Sequence, residues 1–136
     1  MAEGQAFLVG IPITKPYFDK HEIMSLKKTV ESGWVMQGPM VEKFEAIFAK
    51  YVGSKHAVAV SSGTSALHLA LEASGIGKDD EVITTAFSFI ATANSIRHCG
   101  AYPAFCDIDP RTYNLDPEKV LDFIHNRCSW QSKNKR

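Results

Sequence analysis

Hydrophobic and polar positions alternate along this chain with two periods, and the switches between them outline an α/β fold. Asp19, with Glu22 three residues on, has the spacing of a helix-capping box. Ile23, Leu26, Lys27 and Val30 continue a helical stripe that Ser32-Gly33 ends. Trp34 to Pro39 reads as a loop with a large aromatic and a Gly-Pro break. Met40 to Val52 predicts a second amphipathic helix, with Val41, Phe44, Ile47, Phe48 and Tyr51 on one side, ended by Gly53. His56 to Val60 is a short apolar run that predicts a buried strand. After the small polar turn Ser61 to Ser65, a helix carries Leu67, Ala70 and Leu71 on one face up to Gly75.

The alternation continues downstream. Glu81 to Thr85 is a β-rich run, Ile90 to His98 a helix stopped near Gly100, and Tyr102 to Asp107 a third strand, entered through Pro103. Asp116-Pro117-Glu118 has the residues of a helix start, and Val120, Leu121, Phe123 and Ile124 give that helix its apolar side. Residues 1–16 contain Pro12 and Pro16 without a helical period and read as an extended arm. Residues 131–136 have nothing to bury and are expected to fray. The order β-α-β-α-β-α predicts a parallel sheet with crossover helices. Sites in such sheets lie beyond the carboxyl ends of the strands, which draws attention to Ser61–Ser65, Ala86–Phe89 and Asp107–Asp109.

Composition narrows the function classes. Fifteen basic and fifteen acidic residues balance to zero formal charge, which argues against binding nucleic acid by phosphate neutralisation. Hydrophobic content of 45% is enough for a core. The uncharged stretch Val82 to Ile96 is too short and polar to span a bilayer, and no signal peptide is visible. Cys99, Cys106 and Cys128 form no CxxC pair, so reduced thiols in a cytoplasmic protein are the expectation.

Chemistry concentrates at the turn after the first apolar run. A helix beginning at Ser61–Ser65 presents free N–H groups and the positive end of its dipole, with Gly63 allowing close approach and Ser62, Thr64 and Ser65 adding hydroxyls. The residues fit an anion site, and the bland alternative is a plain N-cap. Phe89 opens the next helix, either as a flat face for an aromatic cofactor or as a core aromatic. Trp34 is open between a ligand contact and packing on its own core. Asp107 and Asp109, beside Pro110, read as turn residues rather than acid and base. The His and Cys spacings around His98-Cys99, Cys106 and His125 to Cys128 fit no common zinc finger, His68 reads as an ordinary helix histidine, and no metal site is expected.

Taken in order, several of these pieces resemble one family. They are Pro16-Tyr17-Phe18, Ser32-Gly33-Trp34 with Gln37-Gly38-Pro39, Phe44-Glu45, Ala57 through His68, Asp80 through Thr84, Ser88 through Asn94, and Asp107-Ile108-Asp109 with Thr112-Tyr113-Asn114. Over about Pro12 to Ile124 the chain is similar to the N-terminal part of the DegT/DnrJ/StrS family of sugar aminotransferases, which depend on pyridoxal phosphate (PLP). The resemblance implies a fold-type-I large domain, a three-layer α/β/α structure, of which residues 1–136 are the N-terminal part. It implies that Gly63 and Thr64 bind the cofactor phosphate and that Phe89 stacks on the pyridine ring. Trp34, Gln37 and Gly38 match a loop near the sugar substrate and the dimer interface.

The family usually moves an amino group from glutamate to a nucleotide-linked keto sugar, for lipopolysaccharide, capsule or glycan synthesis, as a homodimer. Its Schiff-base lysine and pyridinium-pairing aspartate match no residue here, so no catalytic residue is assigned and the chain alone is expected to be inactive. The chain therefore reads as a piece of a longer protein. A non-catalytic PLP-binding or dimerisation module is the alternative. An unrelated nucleotide-binding domain ranks lower, since GxGxxG and the P-loop are both missing.

Overall fold

The computed structural model describes residues 14–128, and the chain divides into two compact units, residues 1–59 and 60–136. The predicted arm and tail lie largely outside the described residues. In the first unit, α1 (Lys20–Glu31) starts on the expected capping box. The Asp19 carboxylate accepts from His21 N–H at 2.6 Å, and Glu22 accepts from Asp19 N–H at 2.7 Å. Helix α2 (Pro39–Val52) begins with proline in its first turn and ends at Gly53, whose φ of 72° is the left-handed conformation glycine adopts without strain. The apolar stripe of α1 buries nothing, and in α2 only Ala49 is buried.

The second unit carries the sheet. Helix α3 (Gly63–Ala73) is followed by β1 (Glu81–Thr85), α4 (Ala91–His98), β2 (Tyr102–Cys106) and α5 (Pro117–Arg127). Strands β1 and β2 are parallel, in register from Glu81 opposite Tyr102 to Thr85 opposite Cys106. Tyr102 N–H donates to Asp80 at 2.8 Å, so the nitrogen of Pro103, one residue on, points away from β1. That alternation is how proline sits inside this strand. The buried centre of the unit is small: Ile96, Ala101, Cys106 and the hydroxyl residue Ser95. The α5 cap is as expected, with Asp116 accepting from Glu118 N–H at 2.9 Å.

One expectation is corrected. His56 to Val60 forms no strand among the described residues. Val58 is largely exposed, and Ala59 N–H donates instead to the Glu45 carboxylate of α2 at 2.8 Å. Apolar composition makes a segment suited to a sheet, but a strand exists only where a neighbour supplies the ladder.

Candidate functional site

The small polar turn folds as an anion-ready helix start. Ser62 is the N-cap of α3, and its hydroxyl accepts from Ser65 N–H at 3.1 Å. Ser65 Oγ lies 3.0 Å from Ser62 Oγ and 3.3 Å from Ser61 Oγ. Ser62 C=O accepts from Ala66 N–H at 3.0 Å. These bonds leave the N–H groups of Gly63 and Thr64, the first two of the helix, without a hydrogen-bond partner among the described residues. Gly63 is exposed, and a Cβ built on it meets nothing within 4 Å. The protein's own packing therefore does not demand glycine there, whereas a ligand approaching the backbone would. No acidic side chain stands in the first turn to repel an anion.

The partner helix orients this turn. Ser95, fully buried on α4, places its hydroxyl 2.7 Å from Ala91 C=O and 3.3 Å from Thr64 C=O, one proton shared between two acceptors. One turn later the Cys99 thiol lies 3.3 Å from Ser95 C=O and 3.7 Å from His68 C=O. Both cross-helix contacts join residues 31 apart, Thr64 with Ser95 and His68 with Cys99. That constant offset means that α3 and α4 run parallel, with both N-termini at one end. In the same register Phe89 falls five residues beyond Gly63. It lies just outside the N-terminus of α4, at the end of the pair where α3 begins.

Phe89 is held by its backbone rather than by packing. Its C=O accepts from Thr92 N–H at 3.0 Å, and its ring is 77% exposed. The core-aromatic alternative is therefore not realised in this structure. An exposed apolar ring at the N-terminal end of two parallel helices, the end that carries two free N–H groups, is suited to cover a phosphorylated aromatic ligand. Ser95 is the residue that sequence reasoning missed. Its hydroxyl gave no signal until the register of the helices brought it against Thr64.

The remaining candidates divide. Asp109 makes a turn: it accepts from Arg111 N–H at 2.7 Å, and its other oxygen lies 3.4 Å from the Arg111 guanidinium. Those bonds, the backbone N–H foremost, hold its carboxyl below the ordinary value against an opposing effect of burial. In the first unit, Trp34, Gln37 and Gly38 fall in the loop before α2, as expected. Trp34 is 61% exposed, and its ring lies so near Gly38 that a Cβ there would meet Trp34 Cε3 at 3.0 Å. Gln37 is exposed. No helix of the described residues is long and apolar enough to cross a membrane.

Comparison with known proteins identifies the class to which the chain belongs. A sequence model of the DegT/DnrJ/EryC1/StrS aminotransferase family matches residues 16–130. This chain belongs to that family. It is 54% identical over 110 residues to the spore coat polysaccharide biosynthesis protein SpsC of Bacillus subtilis, covering 81% of this chain and 28% of that protein. It is 45% identical over 121 residues to the GDP-perosamine synthase of Caulobacter vibrioides, covering 88% and 33%. A Streptococcus pneumoniae protein solved in its PLP form superposes with a TM-score of 0.76 at 32% identity, over 82% of this chain and 29% of that one. The chain thus spans about a third or less of the length of these relatives.

Proposed function

We propose that this chain forms the cofactor-phosphate end of a PLP-dependent sugar aminotransferase. The observation that carries the reading is the pair of free N–H groups at Gly63 and Thr64, with Phe89 standing beyond them in the register of two parallel helices. Gly63 and Thr64 would hold the phosphate through their N–H groups, and the Thr64 hydroxyl would add a donor. Phe89 would lie against the pyridine ring and keep water off one face. When bound, the cofactor supplies an electron sink at the carbon bearing the amino group. The chain's own part is to anchor and orient.

The proposed reaction is transfer of an amino group from glutamate to a nucleotide-linked keto sugar for surface polysaccharide or glycan synthesis. The names of the polysaccharide protein and the GDP-sugar synthase support that substrate class. Trp34, Gln37 and Gly38 would border the sugar, and the working form would be a cytoplasmic homodimer. The 136 residues alone would bind cofactor without transaminating, because none is assigned the roles of cofactor-linking amine and pyridinium-pairing carboxylate.

Pyridoxamine phosphate is the suitable probe, since it has no aldehyde to react with surface lysines. It is expected to bind the full chain at least tenfold more tightly than pyridoxamine, to be displaced by inorganic phosphate, and to bind several-fold more weakly to Phe89→Leu. Equal affinity for the two compounds, with no competition by phosphate, would overturn the proposal. Product formation from glutamate and a nucleotide keto sugar would overturn the inactivity of the chain alone.

A further inference from the structure

The far end of the same helix pair gathers three metal-ligating side chains that the sequence spacing did not connect. His68 and Glu72 stand four residues apart on α3 and so share a face. Cys99 caps α4 opposite His68. The donor atoms of the three side chains all lie within 4.8 Å of one another. His68 Nε2 is 3.2 Å from Glu72 Oε1. Two donors on one tetrahedral ion, each about 2.0–2.3 Å from it, are separated by ~3.3–3.8 Å, so this pair already has nearly the needed spacing.

We propose that His68, Glu72 and Cys99 form a binding site for a borderline-soft divalent cation such as Zn2+ or Co2+. The mixed nitrogen, oxygen and sulfur donor set favours such an ion over Mg2+ or Ca2+. A simpler account would leave Cys99 as a thiol donating to helix carbonyls and His68–Glu72 as an i,i+4 pair. That account fails at one atom. His68 Nε2 is buried and makes no hydrogen bond, despite its closeness to the carboxylate. An unsatisfied buried nitrogen is costly, and two groups that are close but not directed at one another are what a shared central ion leaves behind.

On binding, the Cys99 S–H bond breaks, its proton goes to solvent, and a sulfur–metal bond forms. The neutral His68 imidazole and the Glu72 carboxylate donate lone pairs, and the dication balances thiolate plus carboxylate. His98 packs edge-on against His68, ring centroids 5.6 Å apart, and helps to hold that ring. Three protein donors leave the fourth position to water.

Cobalt titration of the reduced full chain tests this. One Co2+ per chain is expected, with a sulfur-to-cobalt charge-transfer band in the near ultraviolet. The band should vanish in Cys99→Ser and persist in Cys106→Ser and Cys128→Ser. Glu72→Gln, an exposed change with far-ultraviolet circular dichroism as its folding check, should raise the dissociation constant at least tenfold. On the unmutated chain, Zn2+ should protect Cys99 from alkylation, located by mass spectrometry, while the exposed Cys128 stays reactive. Absence of the band or of that protection overturns the site, as does a band that survives Cys99→Ser or an affinity unmoved in Glu72→Gln.

Discussion

Replacing Gly63 by alanine separates what this glycine does for the fold from what it does for a ligand. Gly63 is the first residue of α3, and a Cβ there meets nothing within 4 Å. Its φ lies outside the left-handed region, so a side chain brings no strain. Alanine also narrows the unfolded ensemble, and at a compatible position that change stabilises by about 0.4–1 kcal/mol. A first-turn position lies toward the lower end, about 0.5 kcal/mol. With a urea dependence of roughly 1.5 kcal/mol per molar, the midpoint should rise by about 0.3 M.

The ligand should register the opposite sign. A methyl group beside the two free N–H groups occupies space that a phosphate needs to reach them. A tenfold loss of pyridoxamine phosphate affinity, about 1.4 kcal/mol, is the minimum expected. Urea unfolding followed by circular dichroism and equilibrium dialysis of the same preparation give the two numbers. A lower midpoint would refute the packing argument. A raised midpoint with unchanged affinity would refute the placement of the phosphate.

Two further outcomes follow from particular bonds. Ser95→Ala should cost about 1 kcal/mol, the net worth of its hydroxyl bond. Ser95→Val, which adds bulk where there is no exposure, should cost more, about 1–3 kcal/mol, and the reverse order in urea midpoints would contradict the tight contact with Thr64. Asp109 has a carboxyl held below the ordinary value by Arg111. Its contribution to stability is therefore present above the ordinary carboxylate value and lost as pH falls through the depressed one. A carboxyl NMR titration should show that lowered midpoint, and Asp109→Asn should flatten the acid side of the stability profile; an ordinary or raised midpoint would remove the argument.

Local signals were legible in the sequence wherever the cause was itself local. The Asp19–Glu22 box, the Gly53 stop and the Asp116 cap act within a few residues and form as expected. The Glu81–Thr85 run is a strand with those same ends. Non-local causes were hidden. His56 to Val60 has strand composition but no ladder partner among the described residues. The stripe of Ile23, Leu26 and Val30 predicts a buried face, yet all three are more than 60% exposed. At the site, the turn and Phe89 carried local signatures, whereas Ser95 and the His68–Glu72–Cys99 cluster depend on a 31-residue register between helices that no spacing rule reveals.

The parallel register also bears on how a chain of zero net charge would hold the proposed anion without a basic residue in the turn. Each helix contributes about half a positive charge at its N-terminus and half a negative charge at its C-terminus. Antiparallel neighbours would cancel these at each end, whereas parallel neighbours add them. The N-termini of α3 and α4 therefore combine where Gly63, Thr64 and Phe89 stand, and the C-termini combine near Glu72 and Cys99. Arg97, in the last turn of α4, is occupied elsewhere: its guanidinium donates to Ala101 C=O at 3.2 Å and lies 5.0 Å from the Tyr102 ring centroid. The α3 last turn has no basic residue. The polarity of the helix pair thus favours an anion at one end and a cation at the other, with Ser95 tying the helices together between the two.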